Sequence, residues 1–258
     1  MLRLFERAPE PAHLDIAHGG EVYRIALKRS TRSRRFTLRI RTANRDVLLT
    51  MPARAPLKAA REFAERHSAW IGVKLARLPR LIPFEPHETA PLRGRDHRIV
   101  HRPGTRGVVW LEAGADGPEI CVAGESQHVA RRVADFLKRE ARKDIEAAVR
   151  RHAVAVQVKP KRIAVRDTVS RWGSCSSAGR LSFSWRLILA PPYVLDYLAA
   201  HEVAHLIHLN HSPRYWRLLR RVCPATDRAE TWLKAYGSDL YRFGAERAGP
   251  GRIVVSSG

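Results

Sequence analysis

The sequence predicts an α+β fold, with a β-rich amino-terminal half and a more helical carboxy-terminal half. Apolar and polar residues alternate through much of residues 22–51, which is typical of half-buried strands. Apolar residues recur at helical spacing in residues 126–155 and 193–209, which indicates amphipathic helices. The 258 residues, 45% of them hydrophobic, are enough for one large domain or two small ones with a substantial core.

Three strands are expected first, because their apolar and polar side chains alternate. They cover residues 22–28, 36–41 and 47–51. We expect an antiparallel sheet, with a turn at Ala43-Asn44 between the last two strands. A helix should follow from Pro56 to about Leu75, with Trp70 as an anchor in the core.

Prolines make residues 78–91 an irregular connector to the second half. Further strands are expected near residues 98–101, 108–112, 119–122, 162–165 and 180–185. Further helices are expected over residues 126–155, 193–209, 213–222 and from Thr226 or Asp227 to Tyr236. The expected organisation is a flexible lead (1–20), a β-rich region with one helix (21–124), a region with the candidate site (125–244) and a flexible tail (245–258).

The chain carries a formal net charge of +22, so its surface should attract polyanions. The densest positive segment runs from Lys28 to Arg41 and includes Arg35 and Arg39. Two interpretations remain open: Arg35, Arg39 and Arg41 bind nucleic acid, or they form a solvated strand face. Phe36 is the one aromatic residue in this segment, which is too few for a base-stacking platform.

Three scattered cysteines, Cys121, Cys175 and Cys223, are too few for a disulfide framework and favour a reducing compartment. The amino-terminal residues do not resemble a signal peptide. No run of about 18 apolar residues suggests a membrane span. We therefore expect a soluble cytoplasmic protein without a membrane partner.

The chemistry of the chain is concentrated in His201-Glu202-Val203-Ala204-His205 and in His211. Two histidines four residues apart on a helix project from the same face. This His-Glu-x-x-His spacing is typical of zinc hydrolases. A zinc ion held by imidazoles lowers the pKa of a bound water toward about 7. Glu202 is then placed to take the proton from that water as general base.

A third protein ligand is needed, because catalytic zinc usually has three. Asn210 is expected to end the helix, and Ser212-Pro213 should cap the next one, so His211 lies in a corner that can turn toward the metal. His208 is the competing candidate. It lies about 10.5 Å along the helix axis from His201, which is too far for bonds of about 2.1 Å to one ion. We therefore assign His211.

Other residues are candidates for supporting roles. Asp227 and Glu230 are both candidates for accepting a hydrogen bond from a ligand imidazole, and the sequence does not choose between them. Tyr215 or Arg214 can reach the cleft from the helix that follows His211. Cys175 is rejected as a nucleophile, because no separate base or orienting partner accompanies it.

Several motifs together resemble the YgjP-like metallopeptidase family. They are Ser170-Arg171-Trp172-Gly173-Ser174-Cys175, Leu181 to Leu187, Asp196-Tyr197, His201 to His205 and Asn210-His211-Ser212. The resemblance is specific over residues 160–225 and looser toward the front. It implies a zincin-like, metal-dependent hydrolase with zinc ligands His201, His205 and His211 and the catalytic carboxylate Glu202. It also implies that the long helix over residues 126–155 packs behind the metal-binding helix.

By the same resemblance, the strand pair around residues 170–185 borders the active-site cleft. An exposed edge strand can hold an extended peptide by adding it to the sheet. Gly173 would let a substrate backbone approach closely, and Arg171 and Ser174 would donate to a substrate carbonyl or oxyanion. The alternative is a tight turn with Trp172 packed beneath it, and the sequence does not decide between the two.

The functional hypothesis is a zinc-dependent hydrolase with one zinc ion, acting as a metallopeptidase on a peptide or protein substrate. A nucleic-acid-associated protein, including a protease that works on DNA-bound proteins, is the alternative from another class. A hydrolase for a non-peptide substrate is the third, because activated water attacks other acyl centres as well.

Overall fold

The computed structural model describes residues 11–41, 45–168, 171–244 and 252–254. Helices and sheets are mixed along the chain, which confirms the α+β class. The described residues form two compact units: residues up to Arg80 together with 252–254 belong to the first, and those from Leu81 to Gly244 belong to the second. The contacts thus divide the chain after Arg80, whereas the sequence analysis placed its boundary near residue 124. The Ala43-Asn44 turn and most of the expected flexible tail lie outside the described residues.

The first unit contains a sheet in the order β1-β2-β4-β3, with a further strand, β12, beside β2. The strands are β1 (His13–His18), β2 (Glu21–Ser30), β3 (Thr37–Ile40), β4 (Val47–Pro52) and β12 (Arg252–Val254). Residues 13–18 were expected in a flexible lead, but they pair with β2. The predicted antiparallel sheet is wrong at one pairing, because β2 and β4 run parallel. After β2 the chain forms β3 at the edge of the sheet. It then reverses direction, and β4 lies between β2 and β3, antiparallel to β3.

Two helices, α1 (Leu57–Arg66) and α2 (Ser68–Ala76), replace the single expected helix. The break lies at His67, where the Ser68 hydroxyl donates to the Glu65 carbonyl at 2.7 Å. Helix α2 buries Ser68, Ile71 and Leu75 and leaves Trp70 42% exposed. The prediction of Trp70 as a core anchor is therefore wrong.

The second unit has two sheets. A four-stranded sheet follows the order β5-β6-β8-β7, and a three-stranded sheet follows the order β10-β11-β9. Their strands are β5 (Thr89–Leu92), β6 (Arg95–Arg102), β7 (Val109–Gly114), β8 (Gly117–Ala123), β9 (Arg162–Arg166), β10 (Gly173–Cys175) and β11 (Arg180–Ser184). The proline-rich connector was expected to extend through residue 91, but β5 includes Pro91. An edge strand tolerates proline because half of its backbone groups face away from the sheet.

Four helices complete this unit, namely α3 (Val129–Ala155), α4 (Pro192–Ala204), α5 (Pro213–Val222) and α6 (Thr226–Tyr236). Helix α3 packs along α4, as expected for a supporting helix. Asp196 on α4 reinforces this contact by accepting hydrogen bonds from Arg151 and His152, both at 2.9 Å. Among the described residues, every helix is too short or too polar to cross a lipid bilayer.

Candidate metal centre

The end of α4 positions the histidines of the motif. His201 lies in the last turn of α4, and His205 is the residue that ends the helix. The sequence analysis extended this helix to residue 209, but the chain already tightens after Ala204. The Leu206 and Ile207 amides bond to carbonyls three residues earlier, at 3.0 and 3.1 Å. This early turn shortens the path from His205 back to His211.

Three imidazoles converge at this corner. Their ligand nitrogens all lie within 4.8 Å of one another, and the Nε2 atoms of His201 and His211 are 3.4 Å apart. Tetrahedral zinc with bonds of about 2.0–2.1 Å separates two nitrogens by about 3.4 Å. His201, His205 and His211 therefore fit one divalent ion, and the structure brings together the three residues that were predicted.

Hydrogen bonds fix the orientation of two of these rings. The Tyr197 hydroxyl donates to Glu230 Oε1 at 2.9 Å, so its oxygen is left to accept from Nδ1 of His201, 3.3 Å away. Nδ1 of His205 lies 3.0 Å from the His208 carbonyl. With Nδ1 protonated in both rings, each Nε2 keeps its lone pair for a metal.

These contacts decide between the supporting candidates. Glu230 acts through Tyr197, which the sequence analysis did not identify, although its spacing of four from His201 was a usable signal. Asp227 instead pairs with Arg220 at 3.2 Å on the exposed surface. His208 contributes its backbone carbonyl rather than its ring.

Tyr215 forms the floor of the centre. It is fully buried, and its ring stacks on His205 with centroids 4.6 Å apart. Its hydroxyl donates to the His201 carbonyl at 3.2 Å. Tyr215 therefore supports the ligands and does not reach the cleft, contrary to one of the two options considered. The Ser212 cap is confirmed, because its hydroxyl accepts from the Tyr215 amide at 3.4 Å.

The surroundings of His201 and His205 favour the neutral form of both imidazoles. Burial, together with the adjacent His205 and His211 imidazoles, lowers the pKa of His201 to about 4. Burial also lowers the pKa of His205. Neutral imidazole is the form that ligates a metal, so these residues enter the site in the correct state.

Glu202 is buried between α4 and the edge strand β10. It is 4% exposed, and burial raises its pKa to about 8, while Arg171 acts in the opposite direction. A methyl group at Gly173 would lie 2.9 Å from Cγ and Cδ of Glu202. The space beside Gly173 is therefore filled by this carboxylate, and the glycine makes room for Glu202 rather than for a substrate backbone.

The remaining predicted residues have different surroundings. Ser174 is half-buried within β10, and Arg171 is exposed just before it. Arg35, Arg39 and Arg41 are exposed on and beside β3 in the first unit. They are not part of the metal centre, and their binding to nucleic acid stays a prediction.

A family model described as YgjP-like, metallopeptidase domain, matches residues 34–236. No protein of curated function and no solved structure matches the chain significantly. The matched range includes the three histidines and Glu202, and it supports a metal-dependent hydrolase at the level of the family.

Proposed function

The chain belongs to the YgjP-like metallopeptidase family, and from this premise we propose that it is a zinc-dependent peptidase with Glu202 as its general base. The observation that carries the proposal is the convergence of three imidazoles next to the buried Glu202 side chain. Three nitrogen ligands leave a fourth position open, which is typical of catalytic zinc. Zinc is also the ion that such a tetrahedral nitrogen set favours.

The roles of the residues follow from their positions. His201, His205 and His211 would hold the ion, which when bound acidifies water and polarises a carbonyl group. Glu202 makes no ion pair among the described residues and follows a ligand directly in sequence. The raised pKa of Glu202 would be lowered by a divalent ion at the three histidines, because a nearby positive charge favours the carboxylate. The carboxylate could then accept a proton from the attacking water and deliver it to the leaving nitrogen.

Strand β10 provides the site for an extended substrate. It is an edge strand of its sheet and lies against Glu202 through Gly173. A peptide added to this edge would lie beside the general base. In this proposal Ser174 and Arg171 donate to substrate carbonyl groups or to the developing oxyanion.

The proposal also includes a cytoplasmic location. All three cysteines are free thiols, in agreement with a reducing compartment.

The proposal is tested with Glu202→Gln, which removes the proton acceptor and keeps the shape of the side chain. Zinc content should stay at the wild-type level, while hydrolysis of a peptide mixture, followed by mass spectrometry, falls by about 100-fold or more. Glu62→Gln makes the same chemical change on the exposed surface of α1 and should leave both quantities unchanged. Hydrolysis by Glu202→Gln at the wild-type rate, still inhibited by a zinc chelator, would contradict the assignment.

A further inference from the structure

A groove runs from the third ligand along helix α5. It has a volume of about 440 Å³, and its lining consists of His211, Pro213, Trp216, Arg217 and Arg220. The Trp216 ring stacks on the His211 ring at 5.7 Å with an angle of 28° between the planes. The wall of the groove is therefore continuous with the metal centre, and a chain bound at the metal can extend into it.

The charges in this groove are of one sign. Arg217 and Arg220 line it, and no acidic side chain does. Within the described part of the chain, Arg217 has no acidic partner. Arg220 lies over the Trp216 ring at 5.6 Å and pairs with Asp227, whose side chain is 75% exposed. Solvent strongly screens such an exposed pair, so Asp227 neutralises the positive charge of Arg220 only weakly.

Helix α5 and the Trp216 ring together provide groups that can bind a side chain with a carboxylate. Arg217 and Arg220 are three residues apart, so they project from neighbouring positions on one face of α5. Guanidinium groups bind carboxylates through paired hydrogen bonds. Trp216 is half-buried, and the exposed part of its side chain offers an apolar surface for the methylene groups that precede such a carboxylate. A concave wall of this kind also concentrates the positive potential.

We propose that the groove binds an acidic side chain of the substrate, next to the scissile bond on the His211 side. The inference rests on the proposed peptidase function and adds a substrate class to it, namely peptides with Asp or Glu near the cleaved bond. Peptides with Lys or Arg at that place are disfavoured, because like charges then meet in the groove.

The net charge of the protein attracts any acidic peptide, so the test must separate the groove from the rest of the surface. Arg221 provides the matched control, because it is exposed on the same helix and is not part of the groove lining. Arg217→Gln and Arg221→Gln change the net charge equally. Any difference in peptide affinity between these two variants is therefore caused by the groove and not by the net charge.

Binding is measured with zinc-loaded Glu202→Gln protein, so that no peptide is cleaved. Two dye-labelled eight-residue peptides, identical except for two central Glu or two central Gln, are titrated by fluorescence anisotropy. The Glu peptide should bind several-fold tighter. Arg217→Gln and Arg220→Gln should each weaken its binding by about two- to fivefold, as expected for exposed ion pairs, and leave the Gln peptide unaffected. Arg221→Gln should leave the affinity for both peptides unchanged, apart from the small effect of one lost positive charge.

Three outcomes overturn the inference: no binding of the Glu peptide at millimolar concentration, no preference for Glu over Gln, or equal losses in Arg217→Gln and Arg221→Gln. Failure of the proposed function is a separate result. If the wild type hydrolyses no peptide and the Glu peptide still binds through Arg217, the peptidase assignment fails and the groove stands. If hydrolysis occurs without that preference, the groove inference alone fails.

Discussion

Gly173→Ala tests whether the position of the Glu202 carboxylate limits catalysis. Gly173 has an ordinary backbone conformation, because its φ is outside the left-handed region, so alanine introduces no backbone strain. Its methyl group would lie 2.9 Å from Cγ and Cδ of Glu202. Ordinary contact between carbon atoms begins at about 3.5 Å, so the Glu202 side chain must retreat by about 0.6 Å or more.

Such a displacement is large for a catalytic group. A misplacement of about 1 Å costs about 100-fold in rate, so we expect kcat/KM to fall by about 10- to 100-fold. This corresponds to a barrier raised by about 1.4–2.7 kcal/mol. Zinc content should not change, because the new methyl group is directed at Glu202 and not at a ligand. The measurements are kcat/KM for a cleaved peptide, metal content and the midpoint of thermal unfolding.

Gly114→Ala is the matched control. A methyl group there would lie 2.8 Å from Cγ of Glu119, so it makes a similar steric demand on a glutamate. Gly114 belongs to the four-stranded sheet, which contributes none of the three ligands, and its backbone φ is also ordinary. We expect wild-type kcat/KM for this variant. Wild-type activity in Gly173→Ala, or an equal loss in both variants, would refute the reasoning.

Three further predictions concern the ligands and the helix beneath them. His211→Ala should lose zinc by metal analysis, whereas His208→Ala should keep it, because alanine retains the backbone carbonyl; the reverse pattern would exclude the assigned ligand set. Tyr197→Phe removes the acceptor for a ligand imidazole and should weaken zinc affinity by about 10- to 100-fold in a chelator competition, with circular dichroism unchanged; unaltered affinity would deny its orienting role. Asp196→Asn should lower the free energy of unfolding at pH 7 by about 1 kcal/mol, measured by urea titration. Burial raises the pKa of Asp196, but the interactions with His152 and Arg151 outweigh it and the net pKa is lowered. This stabilisation is therefore present above the unfolded pKa of about 3.9 and is lost as pH falls through the lower folded value. A difference that persists unchanged at pH 2–3 would contradict this linkage.

Local patterns in the sequence were sufficient for most of the elements. The strands alternate with period two and the long helix α3 repeats apolar residues at helical spacing, and both patterns reflect which side of an element is buried. They do not specify strand neighbours, because a strand can satisfy its alternation in either direction beside any partner. The parallel pairing of β2 with β4 therefore became visible only in the folded sheet.

Some features of the candidate metal centre were also predictable from local patterns, and others were not. The spacing of His201 and His205 places their rings on one face by helix geometry alone, and the cap at Ser212 placed His211 in a corner. These residues could be identified without coordinates. The helix end at Ala204 could not, because apolar residues continue beyond it, and the tighter hydrogen bonds of the Leu206 and Ile207 amides became visible only in the folded chain.

The sequence by itself determined which residues are the candidate metal ligands and which carboxylate accompanies them, since these follow from short-range spacing within one helix and its exit. Only the tertiary structure decided what surrounds them. Glu230 reaches the centre through Tyr197 because α6 packs against α4, and Gly173 faces Glu202 because β10 lies along the same helix. Contacts between segments far apart in the chain depend on the packing of the whole unit, and no local pattern encodes them.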